Sequence, residues 1–164
     1  MKNKRPDLRS YGINPAKGRD YEPITYVLAL VFNLLQTQVG DYLARYNLSA
    51  VQFNILMLAA YQNNGKGLSQ VEIAAHLIAS ASNITKLVEK SVQAGLLTRT
   101  TNPRSRRENI ICITPKGQKL IDEMWPGYDT LVRELTEKIP PKDRKPFATV
   151  LQNWLIELHK EQLV

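Results

Sequence analysis

Residues 68–114 read LSQVEIAAHLIASASNITKLVEKSVQAGLLTRTTNPRSRRENIICIT, and a change of period inside this stretch decides the fold. Ser69 followed three residues later by Glu72 is a capping-box pattern, in which hydroxyl and carboxylate each satisfy an orphan N–H of a helix start. It opens a short helix through Ile73 and Leu77. After a brief turn, Ser80 can cap a second helix whose apolar residues Ile84, Leu87, Val88 and Val92 share one face. Gly95 ends that helix, as glycine does at a left-handed C-cap. The pattern then alternates: Leu97 to Thr101 and Asn109 to Thr114 are strand-like. Between them lies a turn loaded with arginine, Asn102-Pro103-Arg104-Ser105-Arg106-Arg107.

Working outward, a helical pattern runs from Ile24 to about Tyr46 through Val27, Leu28, Val31, Leu34, Leu35, Tyr42 and Leu43. Its apolar face is wide, which asks for burial on more than one side. Ser49 and Gln52 form another capping box, opening a helix through Phe53, Leu56, Met57 and Ala60. Residues 63–67 are a loop by composition. Thr114-Pro115 restarts a helix as N-cap and first helical residue. Its stripe runs Leu120, Ile121, Met124, Tyr128, Leu131, Val132 and Leu135, with an interruption and a kink expected at Pro126-Gly127. After Pro140-Pro141 a last helix carries Phe147, Val150, Leu151, Trp154, Leu155 and Leu158 on one face.

The expected fold is therefore mainly α with a minor β part: a winged helix-turn-helix with a two-stranded wing and N- and C-terminal dimerisation helices. Residues 1–23, with three prolines, two glycines and no period, read as a basic extended arm. Residues 24–164 read as one domain, with a reading head over about 48–114 and dimerisation helices over about 24–46 and 115–162.

The net charge is +7, and its placement matters more than its size. The arm holds six basic and three acidic residues, residues 69–116 hold seven and three, and residues 117–164 hold seven and eight. A polyanion partner for the middle of the chain follows. No apolar run reaches about 18 residues, so no membrane span is expected. The first residues form no signal-peptide core, and the default location is cytoplasmic. Cys112 is the only cysteine and sits in a strand-like run, where a half-buried packing role is the expectation. His76 and His159 stand far apart, so no metal is expected. No nucleophile–base pair or Gly-rich phosphate loop is present, and neither catalytic residue nor cofactor is assigned.

A helix that reads DNA needs a core face and an outward face of small polar and basic residues. Here Ile84, Leu87 and Val88 hold the helix down, and Ala81, Ser82, Asn83, Thr85, Lys86 and Lys90 point outward. Asn83, Lys86 and Lys90 share one stripe, with donors and acceptors suited to adenine and guanine edges. Arg104, Arg106 and Arg107 crowd a hairpin tip, where mutual repulsion is relieved by a polyanion. Arginine there can enter a narrow minor groove.

In these features the sequence resembles the MarR family of bacterial transcriptional regulators. The resemblance runs from Ile24 to the end and is carried by residues 68–74, 82–90, 95–97, 102–107 and 113–117. It implies a homodimer joined through the first helix and the last two. It also implies double-stranded DNA with a pseudo-palindromic operator, recognition helices in successive major grooves and wings in flanking minor grooves. A small-molecule effector pocket between dimerisation helices and head, and repression as the default, complete the expectation. The chain departs from the family in carrying Asn102 and Ser105 where wings usually hold acidic residues, and Ser91 where leucine is common. The cysteine of the peroxide-sensing branch and the ligand clusters of the zinc-sensing branch find no counterpart. Tyr42, Tyr46, Phe53 and Met57 could line an apolar pocket, although their helical spacing favours core. Two other readings share the fold: a ligand-independent DNA-binding protein, and a winged-helix module whose arginines meet an acidic protein.

Overall fold

Capping fixes where the helices of the head begin, and the capping boxes expected ahead of α2 and α3 are present. The computed structural model describes residues 8–13, 19, 21–77, 81–102 and 105–162, the side chains of 64–65, 81–82, 102, 105–108 and 161–162 excepted. Helix α1 spans Tyr21–Ala44 and α2 Ala50–Tyr61. Ahead of α2, the Gln52 N–H donates to Ser49 Oγ and the Ser49 N–H to Gln52 Oε1, each at 3.2 Å. The same reciprocal box, Ser69 with Glu72, starts α3 (Gln70–His76) at 2.7 and 3.2 Å. Helix α4 spans Ala81–Gln93; its expected cap, Ser80, lies outside the described residues. Gly95, at φ +72, ends it in a Schellman arrangement, with Gly95 N–H on the Val92 carbonyl and Leu96 N–H on that of Ser91.

The sheet has three strands rather than two. Leu68–Ser69 (β1) pairs antiparallel with Ser105–Ile113 (β3), which pairs in turn with Leu97–Asn102 (β2). The hairpin is the expected wing. The extra strand was hidden in the sequence because its two residues are also the entry to the capping box of α3. That pairing ties the helix-turn-helix to the base of the wing, through Leu68 opposite Ile111.

The core collects one face from each element. Leu43 of α1, Ile55 and Leu56 of α2, Ile73 of α3, Ile84 and Val88 of α4, and Leu97 and Ile111 of the sheet are fully buried together. Ile121 and Met124 complete it from α5, which spans Pro115–Glu137. Cys112 is half-buried on β3, as its strand position suggested. Ser91 stands fully buried on α4, and its hydroxyl donates to the Leu87 carbonyl at 2.9 Å, which satisfies a polar group in an apolar setting.

The expected interruption of α5 is absent: the helix is continuous through Pro126 and Gly127. Proline removes only the one rung to the Asp122 carbonyl, and the helix runs on past it. The Tyr42 hydroxyl donates to the Met124 carbonyl at 2.5 Å and meets the Tyr128 backbone. Burial, then the neighbouring Tyr46 hydroxyl, pushes the Tyr42 phenol up to about 12, so it remains a donor at neutral pH.

Helix α6 spans Pro141–Gln162 and, among the described residues, has no sustained packing partner in its own chain. Helix α1 is more apolar than its broken runs suggest. By length and composition it could cross a membrane: its most apolar 18-residue window has a mean hydropathy of 1.2, and none of that window is buried. Asn33, Gln36 and Gln38 break the apolar run without lowering the average far.

The α3 box yields a pH-dependent prediction. The Glu72 carboxyl is held below the usual carboxylate range by the Ser69 backbone N–H and then by its hydroxyl. A carboxylate depressed on folding contributes stability above its unfolded pKa and loses it as pH falls through the folded value. Wild type should therefore exceed Glu72→Gln in denaturant midpoint near neutrality, with the gap closing below about pH 4. A gap independent of pH would show that the charge plays no part in the cap.

Candidate nucleic-acid interface

Burial divides α4 into two faces. Ile84 and Val88 are buried and Leu87 half-buried, while Asn83, Thr85, Lys86 and Lys90 are exposed. Asn83, Lys86 and Lys90 follow at three- and four-residue steps, so they form one row on the helix. Among the described residues, Lys86 and Lys90 have no ion-pair partner, which leaves two cations available to an anion. Ala81 and Ser82 occupy the first turn of α4, with side chains outside the described set. Arg106 and Arg107 stand at the start of β3, their side chains likewise undescribed, and Arg104 lies outside the described residues altogether.

Sequence reading passed over the residues that orient this surface. Arg99 of β2 reaches across to Glu89 of α4 at 3.4 Å. Both are partly solvated, so the pair contributes at most about 1 kcal/mol, but it links helix to wing. The end of α4 is held more firmly. Thr114, the N-cap of α5, donates its hydroxyl to the Gly95 carbonyl at 2.7 Å and accepts the Gly117 N–H at 2.9 Å. Lys116 Nζ donates to the Ala94 carbonyl at 2.7 Å. The C-terminal carbonyls of α4 are thus capped by the first turn of α5. The Thr114 cap follows from the Thr114-Pro115 start, but no residue-type motif marks the contacts back to Gly95 and Ala94; these follow from the packing of α5 against the turn after α4.

Of the aromatic quartet, Phe53 is buried core and Tyr42 and Tyr46 are half-buried. Tyr128 packs on Phe53 with ring centroids 4.7 Å apart and on Tyr42 at 6.4 Å. Two cavities border this core. The larger, about 650 Å³, lies between α1 and α5, with Tyr42, Arg45, Gln38, Asp41, Gly127 and Glu134 among its walls. The Arg45 guanidinium stands 5.7 Å from the centre of the Tyr42 ring. The smaller, about 380 Å³, lies between α2 and the end of α3, bordered by Met57, Tyr61, His76 and Leu77.

A helix-turn-helix with a β-hairpin wing, an outward basic row on its second helix and exposed apolar side chains on the helices at both ends is the layout of a winged-helix fold. Residues 48–109 match the model of the MarR family. The chain is 26% identical over 109 residues to the HTH-type transcriptional regulator MhqR of Bacillus subtilis, covering 66% of this chain and 73% of that one. A MarR-family transcriptional regulator from Rhodococcus sp. RHA1 superposes with a TM-score of 0.72 at 27% identity, covering 82% of this chain and 94% of the other. CouR from Rhodococcus jostii RHA1, solved bound to p-coumaroyl-CoA, superposes with a TM-score of 0.71 at 27% identity, over 80% and 91%. Over its winged-helix head and beyond, the chain is similar to MarR-family transcriptional regulators.

Proposed function

We propose that the chain is a dimeric, cytoplasmic repressor that holds a pseudo-palindromic operator and releases it on binding a small molecule. The observation that carries the reading is the exposed row Asn83, Lys86 and Lys90 on a helix whose opposite face is locked into the core. In this reading α4 enters the major groove. Ala81, Ser82 and Thr85 allow close approach, Asn83 and Lys86 meet base edges, and Lys90 meets the backbone. Arg104, Arg106 and Arg107 serve the flanking phosphates or minor groove.

Dimerisation is supported by apolar side chains that the chain does not cover itself: Ile24, Phe32 and Leu34 on α1, and Phe147, Val150 and Leu155 on α6. A second copy suits α1 better than a bilayer does. The second half of the helix turns Gln38, Asp41 and Arg45 toward the α1–α5 cavity and docks Leu43 in the head. The effector reading is supported by the α1–α5 cavity, which is within the size range of small-molecule sites, and by the p-coumaroyl-CoA bound to CouR. Its walls belong to the dimerisation helices, so occupation would act on the angle between the two heads.

The test is selection of fragments bound from random duplex DNA. The reading expects an inverted repeat with half-site centres about 10 base pairs, or a multiple of that, apart. Enrichment of no sequence, or of one without two-fold symmetry, would contradict it.

A further inference from the structure

The polar walls of the α1–α5 cleft accept hydrogen bonds far more readily than they donate them. The Tyr42 hydroxyl has spent its one proton on the Met124 carbonyl. The backbone of Gly127 closes against that hydroxyl so tightly that a Cβ there would stand 2.5 Å away. The Thr130 hydroxyl has spent its proton on the Pro126 carbonyl at 2.9 Å. Each oxygen keeps lone pairs and has no proton left to offer. Asp41 from α1 and Glu134 from α5 border the same space as carboxylates, which only accept. Neither has an ion-pair or hydrogen-bond partner among the described residues.

Arg45 is the cation on these walls, and it is already engaged. Its guanidinium stands 5.7 Å from the centre of the Tyr42 ring, within the range of a cation–π contact. It lies one helical turn after Asp41 yet makes no ion pair with it. Two carboxylates against one guanidinium give the cleft a net charge of −1 in a chain of net charge +7. The Tyr42 ring, Pro126 and Leu131 add apolar surface to the same walls.

We propose that the cleft takes an organic cation: a primary ammonium or amidinium head on an apolar or aromatic body. Such a head has several N–H donors and no acceptor, which matches Asp41, Glu134 and the two hydroxyl oxygens. The body lies against the Tyr42 ring and Leu131. An anionic ligand would meet two like charges and a guanidinium already held by Tyr42. The proposal rests on the effector reading above and gives its ligand a chemical class.

Titration calorimetry of the full chain with naphthylmethylamine and with naphthoate tests it, since the probes share a body and differ in the sign of the head. The ammonium is expected to bind roughly tenfold or more tightly than the carboxylate. That preference runs against the field of a basic chain, which attracts anions. Asp41→Asn and Glu134→Gln should each weaken the ammonium about threefold or more and leave the carboxylate no weaker; both side chains are exposed, so the fold should survive. Equal or tighter binding of the carboxylate, binding of neither probe at millimolar concentration, or ammonium binding unmoved by both substitutions would overturn the class. The selected operator duplex, added next, separates the two readings. Selective ammonium binding that leaves the operator bound would uphold the cation site and overturn the effector reading. Release by the carboxylate, lost in Arg45→Gln, would uphold the effector reading and overturn the class.

Discussion

Gly117→Ala is expected to lower the unfolding free energy by roughly 3 kcal/mol or more. Gly117 sits in the first turn of α5, where its N–H donates to the capping hydroxyl of Thr114. A Cβ on this residue would stand 2.2 Å from the Leu96 carbonyl oxygen and 2.7 Å from Ile113 Cδ1. The oxygen cannot move freely, because Leu96 O also accepts the Thr114 N–H at 3.1 Å. Relief therefore requires α5 to pull away from the turn that ends α4, breaking the contacts that hold α4. Thermal unfolding measures the cost. DNA affinity at a temperature where the variant remains folded should fall as well, because α4 loses its anchor. A variant as stable as wild type would mean that the turn and α5 are not packed as described.

The other large effect concerns assembly. Phe32→Asp on α1 or Leu155→Asp on α6 should raise the dimer dissociation constant roughly a hundredfold or more. Each change removes an apolar side chain from both halves of a two-fold interface and places a carboxylate there. Phe32 and Leu155 are 55% and 50% exposed within one chain, so the monomer fold should survive. Sedimentation combined with circular dichroism separates the outcomes. Loss of dimer with helix content retained is expected; an unchanged dimer would place the interface elsewhere.

The parts of the fold legible in the sequence are those set by neighbours in the chain. The Ser49–Gln52 and Ser69–Glu72 boxes, the Thr114-Pro115 start and the Gly95 stop are motifs of two to four residues, and the structure contains all of them. Prolines were harder to place. Pro23 read as the end of the arm, yet α1 begins at Tyr21, since a proline in the first helical turn has no N–H to miss. Pro126 read as an interruption, yet α5 is continuous through it, since a single proline removes one rung and leaves the rest of the ladder. The third strand was too short to announce itself.

The candidate site divides in the same way. The outward row of α4 could be read from helical period alone, because Ile84 and Val88 fix which side is inside. The contacts that orient it, Arg99 with Glu89 and Lys116 with the Ala94 carbonyl, depend on where β2 and α5 come to rest. Nothing local encodes them.

The most direct test of the central claim, that α4 reads bases while the wing holds the backbone, is binding of wild type, Asn83→Ala and Arg106→Ala to the selected operator and to a scrambled duplex across a salt series. Asn83→Ala should lose about 1–3 kcal/mol on the operator and much less on the scrambled duplex, with little change in salt slope. Arg106→Ala should weaken both duplexes alike and reduce the slope by about one. Equal weakening of both duplexes by Asn83→Ala would contradict the placement of α4 in the groove.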